Sequence, residues 1–231
     1  MGFHRGPNIV RDGLILALDA GSARSYPGSG TTWKDLSGNG YDASFVGSVG
    51  YSTTYNGVLS VDGSQTTNYI SFDENALGAI TTSQIWSLET ILRLDSTSGT
   101  TYFHSMSTTA ENNFYITQKA GNQIFPYNET LSSGTIMTFS AGETFVLTIV
   151  HESGVQKYYK NGQFASAHSP ANNIEGTESW ILNQEQDSVG GGFDSSQATD
   201  MGVYGIRLYN KSLSPEEVLQ NYNAQKSRFG L

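Results

Sequence analysis

The residues best equipped for chemistry lie together in one stretch, Asn183 to Gln197, reading Asn-Gln-Glu-Gln-Asp-Ser-Val-Gly-Gly-Gly-Phe-Asp-Ser-Ser-Gln. It holds the carboxylates of Glu185, Asp187 and Asp194 and the amide oxygens of Gln184, Gln186 and Gln197, on either side of Gly190-Gly191-Gly192. Carboxylates crowded into one loop repel, and each must be solvated, protonated or paired. A hard cation resolves the conflict, since Ca²⁺ takes roughly six to eight oxygen ligands from carboxylates, amide carbonyls and backbone. The glycines let the chain double back, so that Glu185 and Asp187 can face Asp194 and Gln197. The competing reading is an acidic surface loop solvated by water.

Other chemistries find less in the sequence. Glycoside hydrolysis needs two carboxyl groups held roughly 5–9.5 Å apart. Same-face residues on a strand are two apart, so Glu185-Gln186-Asp187 opens a Glu-x-Asp-x-x-Glu pattern, but no second Glu follows. His4, His104, His151 and His168 are scattered, with neither triad nor metal spacing. Neighbouring strands could bring His104 and His151 together, and an ordinary buried or edge histidine is the plainer reading. Tyr51, Tyr55, Tyr127, Tyr158 and Tyr159 offer either a sugar-stacking surface or core and cross-strand contacts.

The elements that must position the loop are strands. Trp180-Ile181-Leu182 leads in and Val203 to Tyr209 leads out. Upstream, Leu14–Leu18, Val58–Gly63, Tyr69–Phe72, Trp86–Leu94, Thr101–Met106, Phe114–Thr117 and Thr144–Val150 recur at the spacing of an antiparallel sandwich. Trp86 to Leu94 alternates apolar and polar residues, the pattern of a half-buried strand. Lys157 to Ala165 is a hairpin, its Asn161-Gly162 suited to the two left-handed positions of a type I′ turn. Ser214-Pro215-Glu216-Glu217 is a capping box with Pro at the first helical position, which predicts a helix over about 214–226. Leu213 and Val218 form its hydrophobic staple, and Leu219 and Tyr222 are expected to pack on the sandwich. Residues 1–11 form a Gly/Pro-punctuated arm, expected to be held by a partner, and residues 12–231 form one domain.

Composition narrows the partners. Net charge is −9, from 12 basic and 21 acidic residues, and no Lys/Arg cluster supplies an electrostatic footprint for nucleic acid or an anionic membrane. No apolar run approaches the roughly 20 residues of a membrane span, so no membrane insertion is expected. There is no cysteine, which removes a disulfide scaffold. The N-terminus lacks a signal-peptide core, and a soluble chain without a standard export address is the expectation. Charged residues make up only 14%, against about 25% in typical domains, so the surface is dressed in Ser, Thr, Asn and Gln.

Gln184 to Gln197 resembles the calcium loop of the pentraxins, a Gln-Glu-Gln-Asp-Ser run followed by a Gly-Gly turn and an acidic-x-x-Gln end, with Asp194 where that family carries Glu. The resemblance implies that the side chains of Glu185, Asp187, Asp194 and Gln197 and the carbonyl of Gln186 are Ca²⁺ ligands. It further implies an Asp-Asn pair from an earlier strand, for which Glu111-Asn112 is the candidate. Pentraxins bind phosphocholine through their calcium beside an apolar pocket. Here Thr117 stands where an aromatic would line it, and the family's cysteine pair is missing, so the metal is carried over and the ligand is not.

Leu18-Asp19-Ala20-Gly21, Tyr26 to Trp33, Asp35 to Gly40 and Asn210 to Val218 resemble laminin-G-like (concanavalin A-like) modules of phage and environmental viral structural proteins. These resemblances imply an all-β, antiparallel jelly-roll sandwich with a short C-terminal helix. They also imply a non-enzymatic phage virion surface protein, assembled in the host cytoplasm as a capsid decoration, head fibre or tail adhesin. Its expected partners are host surface glycan, other virion proteins and further copies of itself. A bacterial laminin-G-like carbohydrate-binding module is the alternative, and a polysaccharide lyase or hydrolase on the same fold is the third reading.

Overall fold

Wherever β-branched and aromatic residues cluster between turn formers, the chain runs as strand. The computed structural model describes all residues except 1–6, 96–100, 109–110, 120–121, 129–130, 133, 170–173, 175–178 and 195. Within the strands of residues 101–132 the description is of backbone, with side chains for His104, Ser105, Gln123 and Ile124. In chain order come β1 (Leu14–Asp19), β2 (Thr32–Trp33), β3 (Ala43–Val46), β4 (Val49–Ser52), β5 (Val58–Val61) and β6 (Tyr69–Ser71). Helix α1 (Glu74–Thr81) precedes β7 (Trp86–Leu94), β8 (Thr101–Thr108), β9 (Glu111–Lys119), β10 (Gln123–Asn128), β11 (Leu131–Ser132) and β12 (Met137–Thr138). Then follow β13 (Thr144–Glu152), β14 (Val155–Lys160), β15 (Gln163–His168), β16 (Ser179–Leu182), β17 (Met201–Tyr209) and α2 (Pro215–Phe229).

Among the described residues one sheet runs β15-β14-β13-β7-β17-β5-β4, with β1 beside the second half of β17. The other runs β11-β10-β9-β8-β16-β6-β3-β2, with β12 against β10. The pairings are antiparallel, and the two sheets close on each other as a jelly-roll sandwich. Between them Leu16, Leu88, Leu92, Phe145, Leu147 and Val203 of the first sheet meet Trp33, Phe45, Ile70, Trp180 and Leu182 of the second.

The expectation for β7 is corrected. It is buried on both faces, because α2 covers the outer one: Ile91 joins Val146, Tyr204 and Phe229, and even Ser87 and Glu89 are fully buried. Burial of a carboxylate demands a partner. Glu89 Oε1 receives the Arg207 guanidinium and the Gln225 amide of α2. Helix α2 carries the predicted capping box, with the Ser214 hydroxyl accepting from Glu217 N–H and the Glu217 carboxylate accepting from Ser214 N–H. It runs on to Phe229, past the expected end, since Phe229 is an anchor and Gly230 (φ 69°) makes the left-handed cap. Its buried face is Val218, Asn221, Gln225 and Phe229; Tyr222 and Leu219 pack as expected against Gly162 of the β14–β15 hairpin, Leu219 remaining partly exposed.

For its described part, the N-terminal arm is held by its own chain. Val10 is buried, its N–H donating to Asn221 Oδ1 at 2.8 Å, and Gln220 donates to the Asn8 carbonyl at 2.7 Å. The Asp35-to-Gly40 motif proves structural. The Asp35 carboxylate accepts from Ala17, Ser37, Gly40 and Tyr41 and ties the turn to β1. The Asn161-Gly162 turn has φ of 52° and 77°, as a two-residue hairpin loop requires. Helix α1 is not foreseen by the strand pattern. Its signals are the Asp73 cap, whose side chain accepts from Asn75 N–H, and the apolar spacing Ala76, Leu77, Ile80.

Candidate metal centre

The loop leaves β16 at Asn183, which adopts φ 85°, a left-handed conformation that asparagine tolerates better than most residues. Its side chain closes the neck. Asn183 Oδ1 accepts from Thr199 N–H at 3.1 Å, while Nδ2 donates to the Asn68 carbonyl at 3.2 Å. Gln184, also fully buried, donates to the carbonyls of Gln65 (2.8 Å) and Asn68 (3.3 Å). Both amides thus serve first as anchors to the segment before β6.

Gln186 fastens the other wall. Its fully buried amide donates to the Ser105 carbonyl and hydroxyl, each at 3.1 Å, and its Oε1 accepts from Gly190 N–H at 2.9 Å. One side chain therefore joins the returning limb of the loop to β8. The turn itself is tight: Ser188 and Gly191 exchange backbone hydrogen bonds around Val189 and Gly190. Gly192 (φ 74°) presses against Asp187 so closely that a Cβ there would lie 2.6 Å from the Asp187 Cβ. Only glycine meets both conditions.

The predicted ligands are distributed as follows. Glu185 is buried, whereas Asp187 and Asp194 are exposed at the rim. Asp194 is already shaped as an acceptor: its Oδ1 takes the Ser196 N–H at 2.8 Å, and that amide holds its carboxyl below the usual carboxylate range. Its backbone carbonyl accepts from Gln197 N–H at 3.0 Å, which turns Gln197 inward. Gln197 Oε1 is buried and has no hydrogen-bond partner among the described residues, and the same holds for Gln184 Oε1.

The side chains of Glu111 and Asn112 lie outside the described residues. Their backbone pairs with Thr108 and Ser107 of β8, and Ser107 is two residues along that strand from the Ser105 that Gln186 grips. Two residues of strand span about 6.6 Å. The Gln186 anchor and the Glu111-Asn112 backbone thus meet one short length of β8. Among the described residues no three carboxylate or imidazole groups gather closely enough to hold an ion. Glu111 does not belong to that set.

An orphaned buried amide oxygen costs about 1–3 kcal/mol unless something positive meets it. The donor set is oxygen throughout, carboxylate, amide and carbonyl, which suits a hard divalent ion and not a thiophilic one. By donor type, the residues present therefore fit Ca²⁺. The neck residues Asn183, Thr199 and Asn68 and the Ser105 anchor escape sequence reasoning, because their partners lie as far as 116 residues apart in the chain.

The remaining candidates settle differently. His104 is buried between the sheets, with Trp180 Nε1–H donating to its Nδ1 at 3.2 Å and its Nε2 2.8 Å from the Thr90 hydroxyl. Burial pushes its pKa down to about 3. His151 is buried too, stacked on Trp86 with ring centroids 5.1 Å apart. Of the tyrosines, Tyr158 and Tyr159 are buried, and Tyr51 packs edge-on against Tyr26. Tyr55 is exposed and meets Tyr204 and Phe229. The Tyr127 side chain lies outside the described residues. The four described rings do not make one platform.

Three likenesses bear on this arrangement. A 40-residue segment is 52% identical to human pentraxin-4, covering 17% of this chain and 8% of that protein, so the chain spans a small part of that relative. The fold superposes on the receptor binding domain of botulinum neurotoxin C/D mosaic serotype with a TM-score of 0.69 at 16% identity, over 94% of this chain and 52% of that one. It also superposes on Trypanosoma rangeli sialidase in complex with sialic acid, with a TM-score of 0.66 at 12% identity, over 94% of this chain and 33% of that one. At such identities the structural likeness establishes the sandwich alone. Family membership rests on the sequence: residues 96–229, more than half of the chain and including the whole loop, match the Pentaxin family, and the chain belongs to it.

Proposed function

We propose that the chain is a non-catalytic, calcium-dependent glycan-binding module. Glu185, Asp187, Asp194 and Gln197 through their side chains, Gln186 through its carbonyl, and Glu111-Asn112 from β9 would hold the ion. When bound, calcium supplies an oxygen-seeking position at the rim that can meet a sugar hydroxyl or carboxylate. The protein's own part is to fix the cage. Gln186 bolts one limb to β8, and Asn183 closes the neck. Asp187 and Asp194 stand exposed, where they can share an ion with a ligand from solvent. The observation that carries the reading is the buried, partnerless Gln197 Oε1 in a family-matched loop. The sialic acid held by the sialidase and the receptor-binding role of the toxin domain support a glycan as ligand.

Thermal melting with calcium and with chelator tests the metal. A ligand that binds only the native state at a hundredfold excess over Kd stabilises by about 2.7 kcal/mol. The expected result is a raised Tm that chelator abolishes and that Asp187→Ala blunts. An unchanged Tm, with Asp187→Ala also silent, removes the calcium claim. Screening against immobilised glycans with and without calcium tests the ligand, and turnover of a polysaccharide in the same screen would turn the reading towards a hydrolase or lyase.

The setting we propose is the surface of a phage particle. Support comes from the opening motifs Leu18–Gly21, Tyr26–Trp33 and Asp35–Gly40 and from the sparsely charged composition. Peptide mass spectrometry of purified particles tests it, and consistent absence from them would refute it.

A further inference from the structure

A cavity of about 370 Å³ opens beside β1. Its walls include Arg11, Arg24 and Arg207 together with Asp19 and the hydroxyl residues Ser22 and Ser37. The chain has only 12 basic residues and a net charge of −9, so three guanidinium side chains around one cavity are a local reversal of its electrostatics. Arg207 is answered by Glu89, and Asp19 is answered by Arg228 at 2.7 Å. Asp35, behind Ser37, has its carboxylate taken up by Ala17, Ser37, Gly40 and Tyr41. Arg11 and Arg24 are left: both are exposed, and among the described residues neither makes a side-chain hydrogen bond or ion pair. Like charges facing one cavity repel, and an anion between them relieves the repulsion.

We propose that this cavity is a second ligand site, for the carboxylate or sulfate of an acidic sugar. The guanidinium fork of arginine matches the planar or tetrahedral oxygens of such groups with paired hydrogen bonds. The volume is that of a small-ligand pocket, which ranges over roughly 300–1,000 Å³. Ser22 adds a hydroxyl for the sugar ring, and Leu14, Leu18 and Leu36 give it an apolar wall. Arg11 and Arg24 supply the attraction, and Arg207, fixed by Glu89 and Gln225, forms the rigid side. The ligand class rests on the glycan reading above, but the site needs no calcium.

The test is isothermal titration of the full chain in chelator, with inorganic sulfate and N-acetylneuraminic acid as separate probes. The expected result is saturable binding of at least one probe, weakened about tenfold or more by Arg11→Ala and by Arg24→Ala. Loss should be complete in the double variant, whose unliganded Tm should match the parent because both side chains are exposed. Binding of sulfate alone would assign the site to sulfated sugars, and binding of the carboxylate alone to sialic or uronic acids. No binding of either probe, or affinity unchanged in the double variant, overturns the proposal. So does binding that requires calcium. Failure here leaves the calcium-dependent melting untouched, so the two readings fall separately.

Discussion

Replacing His104 by glutamine removes a titratable group from the centre of the sandwich while keeping its hydrogen bonds. Glutamine can accept from Trp180 Nε1–H and donate to the Thr90 hydroxyl, as the neutral imidazole does now. Burial holds the His104 pKa at about 3, against 6.5 for an ordinary histidine. Unfolded chains therefore bind a proton below about pH 6.5 that the folded chain refuses until about pH 3. Over that window the unfolded state carries more protons, and stability falls as pH falls. Integrated from pH 7 to pH 4, this one group withdraws about 3 kcal/mol, close to 1.4 kcal/mol per unit once titration is under way. Urea melts at half-unit steps of pH measure it. The parent should lose that amount relative to His104→Gln, even if the variant starts less stable at pH 7. Parallel curves for the two proteins would show that His104 is not held neutral, and would refute the burial argument.

The other predictions concern glycine in the loop and charge beneath the helix. Gly192→Ala must strain a left-handed backbone, costing roughly 1–2 kcal/mol, and also push Asp187 aside, whereas Gly190→Ala (φ 63°) meets open space and incurs the backbone strain alone. Calcium affinity from chelator competition should therefore fall in Gly192→Ala more than in Gly190→Ala; equal losses would mean that the position of Asp187 is immaterial. Glu89→Gln leaves the Arg207 guanidinium buried without its counter-charge and should destabilise by about 3–5 kcal/mol. Glu89→Leu with Arg207→Met should recover part of that in the same denaturant titration, since well-packed apolar replacements of buried ion pairs are often neutral, the remainder being the Gln225 amide that loses both partners. A double variant no better than the single one would show that the pair does more than answer its own charge.

Local signals were legible where a few adjacent residues decide the outcome. Asn161-Gly162 dictates its turn by backbone freedom, and Ser214-Pro215-Glu216-Glu217 dictates a helix start by satisfying its own orphan amides. What could not be read depends on which surface a distant element covers. The alternation in β7 predicted one dry face and one wet face. Only the docking of α2 reveals that Glu89 is buried, and the signal for that lies in Arg207 and Gln225, more than a hundred residues downstream. Helix α1 is too short for periodicity to stand out from the turn residues around it. The most buried face of α2 is chosen by polar residues that the apolar pattern does not mark: Asn221 holds Val10 and Tyr209, and Gln225 holds Glu89.

The same division runs through the candidate site and bears on how it works. The acidic residues at the rim could be read directly, since their chemistry is local. The frame that aims them could not, because it is made of neutral amides reaching other strands: Asn183 to Asn68, Gln184 to Gln65, Gln186 to Ser105. Hydrogen bonds between neutral groups change little with pH or salt in the physiological range, whereas Asp187 and Asp194 stand exposed and are screened. A frame of neutral amides can keep its shape while the carboxylates it carries are neutralised, so ion binding need not wait for the loop to fold. It follows that variants of the frame should lower Tm with or without calcium, whereas variants of the rim should lower it only where calcium is present.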